Sequence, residues 1–312
     1  MRSLMLGLAL ACAASAVTAE TVTLPAFAPA LGKDFAYRVE TETAVSIAAK
    51  GTKTARGDFH NTLNVAARSG DGFRVRWCVD PQPPAQGTFE SNDLYRQTIG
   101  LYGLTEVEID TNARGEPVRL NDGGAIKRHM EDTIRRTMGT GPIPPGTVLD
   151  TMLKKISADP MFPVRALVPA LNLTTMMQTD KPRDFEVGKV NTSMNVPGAF
   201  GDTVAAATSR WSLASVDRAA RTVTFTWNDE ADADAVAERA RKYIDGEVAA
   251  ARLQHGTLSP LQMLELTSAS TTRKGLARIS LDDGMTLYAE ETVSVRLGPM
   301  RNDTTMKVTR EP

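Results

Sequence analysis

Cysteine, histidine and aromatic residues are scarce in this sequence, and each scarcity closes off a class of explanation. Of the two cysteines, Cys12 lies in the N-terminal apolar run, which leaves Cys78 with no partner for an intramolecular disulfide. Stability must therefore come from buried apolar surface. The three histidines, His60, His129 and His255, stand alone. Neither H-x-x-x-H nor C-x-x-C occurs, so the spacing expected of a metal site is missing. A G-x-S-x-G elbow and a Ser-x-x-Lys pair are also missing, and nothing in the sequence names a catalytic nucleophile. Gly139-Thr140-Gly141 looks like the start of a phosphate-cradling loop, but Pro142, Pro144 and Pro145 delete the N–H donors such a loop needs. The expectation is a protein without a cofactor and without catalysis.

Charge of one sign is lacking too. Formal net charge is −1 with no basic block, which argues against nucleic acid and against docking on anionic lipid by charge. Long apolar runs are absent after the first twenty residues, so no transmembrane segment is expected.

What is present begins with a leader. Arg2, the apolar run Leu4–Val17 and the small residues Val17 and Ala19 before Glu20 form a secretory signal peptide, residues 1–19. Its removal leaves 293 residues (312 − 19), enough for one large core. The destination is the periplasm or the medium. The remainder, 20–312, reads as one domain.

Period-2 alternation dominates it. Phe35, Tyr37 and Val39 share one parity, and so do Phe59, Leu63 and Val65. Phe73, Val75, Trp77 and Val79 oppose Arg74, Arg76 and Cys78; Val223, Phe225 and Trp227 oppose Thr222, Thr224 and Thr226. These are half-buried antiparallel strands. Asp282-Asp283-Gly284 reads as the turn of a hairpin running from Leu266 to Leu297. Residues 20–32, with Pro25 and Pro29, read as an irregular lead-in.

Residues 123–177 break the pattern. Ile126, Met130, Ile134 and Met138 recur every four residues and form one face of a helix. A Gly/Pro hinge, Gly139–Gly146, and a second helical pattern through Met152 and Leu153 follow. The apolar segment that comes next includes Phe162 and Leu167. A further helix is expected over residues 231–253, capped by Asn228-Asp229-Glu230.

Seven methionines fall in the middle of the chain: Met130, Met138, Met152, Met161, Met176, Met177 and Met194. Flexible thioethers suit surfaces that accommodate variable apolar partners. Prolines cut the insert into short pieces able to shift over a sheet. The candidate apolar lining is Met130, Ile134, Met138, Met152, Leu153, Phe162, Leu167 and Met176 from the insert, with Trp77 and Trp227 from the sheet.

The leader, the Phe73–Val79 and Val223–Trp227 alternations, the Ile126–Met138 stripe and the Pro-rich hinge together make the chain resemble the periplasmic lipoprotein carriers and lipid-binding lipoproteins of the LolA/LppX type. That resemblance implies an α+β fold: a curved, half-barrel-like antiparallel sheet with a helical insert over its concave side. It also implies a lipid or other apolar small molecule as partner. The alternative reading is an envelope scaffold or interaction module that docks a protein partner and holds no small molecule.

Overall fold

The computed structural model describes residues 20–47, 51–81, 105–121, 123–138, 169–194, 207–231, 269–298 and 300–312, together with 154, 158, 159 and 161. The leader, the 231–253 helix beyond Ala231 and most of the segment between the insert's two helices lie outside them.

The first wing of the fold follows a short strand, β1 (Thr21–Leu24), and consists of β2 (Asp34–Ile47), β3 (Gly51–Ser69), β4 (Gly72–Pro81), β5 (Glu106–Thr111) and β6 (Pro117–Leu120). Two helices come next, α1 (Gly123–Met138) and α2 (Pro169–Thr175). The second wing follows another short strand, β7 (Arg183–Glu186). It comprises β8 (Val190–Met194), β9 (Ala207–Asp217), β10 (Thr222–Ala231), β11 (Ala269–Ser280), β12 (Thr286–Leu297) and β13 (Met300–Arg310).

Both wings belong to one eleven-stranded antiparallel sheet, ordered β6-β5-β4-β3-β2-β13-β12-β11-β10-β9-β8. It is curved and not closed into a barrel, as the strand patterning predicts. Within each wing every strand pairs with its neighbour in sequence, as expected of a meander. The wings meet at β2 and β13, which pair over Tyr37–Ile47 and Met300–Arg310. The sheet is therefore two meanders joined side by side at β2 and β13, with its outer strands β6 and β8 connected through the helices and β7.

Register shifts at Val65/Ala67, Asp110/Thr111, Thr224/Phe225 and Arg278/Ile279 mark β-bulges. Each bends its strand and adds twist, which helps so broad a sheet to coil. Both outer strands are short, at four and five residues, and Pro117 sits on one of them, where a missing N–H interrupts no central ladder.

Alternation separates the two faces. The inner face carries Phe35, Tyr37, Val39, Phe59, Leu63, Val75, Trp77, Ile109, Phe225, Ala277, Ile279, Ala289 and Val308, all buried. The outer face carries ion pairs such as Arg38–Asp58 at 2.7 Å and Arg56–Glu42 at 3.1 Å.

One end of the inner face is sealed. Helix α2 packs on β12 and β13 and buries Ala170, Leu171 and Leu173. Pro169 opens it, in the helical position that needs no N–H. Its C-terminal carbonyls are met by Thr174 and Thr175 hydroxyls on Leu171 O and by Gln178 Nε2 on Thr174 O. Ile126 of α1 joins the same core.

Two expectations are corrected. Residues 21–24 are not irregular: β1 pairs in register with β7, and Thr23 Oγ1 donates to Asp184 Oδ1 at 2.5 Å. The resulting ribbon lies against both wings. Phe27, just past β1, meets Phe73 edge-on at 5.3 Å, and Phe185 of β7 meets Phe225 edge-on at 5.1 Å. Nor are Asn228-Asp229-Glu230 a helix cap. They are strand residues, paired with Lys274, Arg273 and Thr272 on one side and Arg210, Ser209 and Thr208 on the other. Two satisfied ladders outweigh a local capping preference.

Candidate functional site

Cross-strand register lays the inner face out in rows, and burial changes from row to row. The first row runs Leu213, Phe225, Ala277, Ala289, Val308, Val39, Phe59, and every member is buried. The second runs Trp211, Trp227, Gly275, Glu291, Met306, Thr41. Here Trp227 is buried, but Trp211, Gly275, Glu291, Met306 and Thr41 are half-buried. In the third row Val293, Thr304 and Thr43 are half-buried, and in the fourth so are Val295, Asn302 and Val45. The sheet thus continues past its sealed end with an inner surface of valine, threonine and methionine. The outer face of the same strands stays charged, with Arg296, Arg301, Asp303 and Glu42.

Gly275 makes the second row possible. A Cβ there would collide with Trp227 Cζ2 and the Glu290 carbonyl, and would stand 2.7 Å from Trp227 Cε2. The indole occupies the space that a side chain at residue 275 would fill.

At the junction of second and third rows sits a buried ionic cluster. Asp229 (β10), Arg273 (β11) and Glu291 (β12) are neighbours through the ladder. Arg273 Nε donates to Glu291 Oε2, Arg273 Nη1 to Asp229 Oδ2 at 3.4 Å, and Arg273 Nη2 to the Met176 thioether at 3.7 Å. The side chains are 7%, 21% and 14% exposed for Asp229, Arg273 and Glu291. Burial pushes the Asp229 carboxyl up, with Ser209 and Arg273 pulling the other way. Burial also raises Glu291, against the opposing charge and hydrogen bond of Arg273. Two carboxylates share one guanidinium, so desolvation prevails over the ion pair in both.

The sequence contains a signal for this cluster that composition hides. Each of the three residues continues an apolar parity: Val223-Phe225-Trp227 runs on to Asp229, Ile279-Ala277-Gly275 to Arg273, and Ala289 to Glu291. A charge on a core-facing position is the informative departure.

Of the expected lining residues, Met176, Trp227 and Trp77 are described in full. Met176 opens the turn after α2 and touches Arg273, two residues along β11 from Gly275, against which the Trp227 indole lies. Trp77 lies apart, fully buried in the first wing with Tyr37 at 6.3 Å between ring centres. Met130, Ile134 and Met138 belong to α1, but their side chains, like residues Met152, Leu153, Phe162 and Leu167, lie outside the described set.

Among the described residues of the sheet, Cys78 and His60 lie on the outer face. Burial, then Glu106, raises the Cys78 thiol, so it stays protonated. His60 Nδ1 lies 3.2 Å from Glu311 Oε2. Among the described residues no three potential ligands cluster as a metal site, and no helix is long and apolar enough to cross a membrane.

No protein-family model and no curated protein matches the chain. Among solved structures it is similar to lipovitellin, in a structure of its lipid–protein interactions. The identity is 10%, the match covers 91% of this chain, and the TM-score is 0.43. The chain spans 25% of that lipovitellin chain. It is also similar to DynF from the dynemicin biosynthesis pathway of Micromonospora chersina, at 6% identity, 94% of this chain, 86% of that one and a TM-score of 0.19.

Proposed function

We propose that this protein holds a lipid or other apolar small molecule on the inner face of its sheet, without catalysis, in the bacterial envelope after loss of residues 1–19. LolA/LppX-type carriers are the functional analogue. One observation carries the reading: apolar and neutral inner-face positions continue past the sealed end through Met306, Val293, Val295 and Val45, all only half-buried. An acyl chain laid there gains ~0.8 kcal/mol per buried CH₂, so about ten methylenes suffice without a motif of any kind. The test is organic extraction of the purified protein followed by mass spectrometry, with titration of a fluorescent fatty acid. Recovered lipid or saturable uptake, weakened by Val293→Asp, is expected. A clean extract with no uptake refutes it.

A second reading, an envelope scaffold that docks a protein partner, draws support from exposed Val118 and Val190 on the two outer strands, 54% and 64% exposed. It predicts a saturable protein partner and no extracted lipid.

A further inference from the structure

We propose that the protein docks on an anionic phospholipid bilayer through the ends of its four central strands, where β2 leads into β3 and β12 into β13. The inference rests on the apolar-ligand reading for its purpose and adds a partner to it: a membrane from which an apolar molecule reaches the inner face.

Strands β3, β2, β13 and β12 are consecutive in the sheet, so their ends form one continuous edge. Gly51, Ile47, Met300 and Leu297 make its last row. The row before it, on the outer face, runs Thr52, Ser46, Arg301, Arg296, Ser270. Two arginines thus stand directly opposite each other, and like charges in that position are destabilising. Both are exposed. Arg301 meets Asp303 at 2.6 Å, and Ser294 takes the other oxygen of that carboxylate at 2.6 Å. Arg296 has no ion-pair partner among the described residues. One row further in, on the inner face, Lys53 lies opposite Val45, in a row that continues through Asn302 and Val295. Lys53 is exposed and likewise unpaired among the described residues.

The edge is therefore positive. The last four positions of the four strands (44–47, 51–54, 294–297 and 300–303) hold Lys53, Arg296 and Arg301 against Asp303, a balance of +2 (three positive, one negative) in a chain of net charge −1. The sequence shows no basic block because 243 positions separate Lys53 from Arg296 (296 − 53); the fold assembles one. At the opposite end of the sheet the exposed arginines are neutralised, Arg218 by Glu20 at 2.7 Å and Arg221 by Asp282 at 2.5 Å.

The chemistry of the edge selects its occupant. Guanidinium pairs match phosphate oxygens, and each Lys or Arg beside an anionic membrane adds roughly fivefold to affinity. The half-buried Val45 and Val295 share the row of Lys53, so the apolar inner surface begins directly behind the cations. A soluble anion would use only the charges, whereas a bilayer meets both.

The experiment uses the chain from Glu20, so that the apolar leader does not itself enter the bilayer. Sucrose-loaded vesicles of phosphatidylcholine, alone or mixed with phosphatidylglycerol, are sedimented with the protein. Binding to the mixed vesicles is expected to be at least tenfold tighter and to weaken in high salt. Arg296→Gln with Arg301→Gln should reduce that binding at least tenfold and leave the urea midpoint unchanged or higher, because a like-charge pair is relieved. Arg218→Gln with Arg221→Gln makes the same charge change at the opposite end and should leave binding within twofold. Equal binding to both vesicles, no binding, or equal loss in both pairs of variants overturns the docking edge. Release from the mixed vesicles by millimolar inorganic phosphate at constant ionic strength marks a free-phosphate site and overturns it too. Lipid recovered by extraction leaves the apolar-ligand reading standing whichever way the vesicles decide.

Discussion

Replacing Arg273 with methionine isolates the energetics of the buried cluster. Methionine keeps most of the side-chain length and can sit beside the Met176 thioether, so packing is largely retained. The charge is not. Asp229 and Glu291, 7% and 14% exposed at the side chain, would then face each other with no cation between them. Breaking a buried ion pair by removing one partner costs about 3–5 kcal/mol. In a chain of this size that lowers Tm by roughly 2 °C per kcal/mol. Both carboxyls already stand above their ordinary values in the folded protein. A carboxyl raised by folding contributes stability that is fully present below its unfolded value, ~4, and is lost as pH rises through its folded value. Loss of Arg273 raises both carboxyls further. The destabilisation should therefore be largest at pH 8 and shrink to roughly 1 kcal/mol or less near pH 3.5, where only the change in packing remains. Urea unfolding of both proteins at the two pH values measures it. A loss below about 1 kcal/mol at pH 8, or an equal loss at both, would falsify the claim that two buried acids depend on one guanidinium.

Three further outcomes are expected. Gly275→Ala should cost about 1–3 kcal/mol by overpacking and red-shift tryptophan emission as the Trp227 ring lifts; unchanged stability and emission would show that the indole does not lie on that strand. Asp110 is held far below the carboxylate range, first by its hydrogen bond to Arg74, with Arg119 and Asn121 adding to the effect. Folding depresses this group, so its contribution is present above ~4 and lost as pH falls. Asp110→Asn should cost about 1.5–3 kcal/mol at pH 7 and much less at pH 2, as urea midpoints at both values will tell. Cys78 should react with iodoacetamide more slowly than a free thiol at pH 7.5 and accelerate as pH rises; a rate above that of free cysteine would contradict the raised thiol.

Local pattern made much of the sheet legible. The Phe73–Val79 and Val223–Trp227 alternations become β4 and β10, the Asp282–Gly284 turn joins β11 to β12, and the Ile126–Met138 spacing becomes α1. What stayed hidden depends on distant partners. Residues 21–24 form a strand only because Arg183–Glu186 lies beside them, with Thr23 and Asp184 161 positions apart, and no local signal records that. Asn228-Asp229-Glu230 has the composition of a cap, and only its two neighbours in the ladder make it strand. The buried ionic cluster is obscured for a related reason. Attention to apolar residues selects Trp77, which is simply core, and passes over Arg273 and Glu291, whose meaning depends on the face they occupy.

The seam between β2 and β13 sets the timetable of folding. Thr43 and Thr304, hydrogen-bonded at 3.2 Å, are 261 positions apart, and strands so distant in sequence meet late and slowly. During synthesis β2 waits with a bare flank, open to any stray strand, until the final hairpin emerges. Charges on the outer face of that strand, Arg38, Glu40 and Glu42, are well placed to keep it from aggregating in the interval.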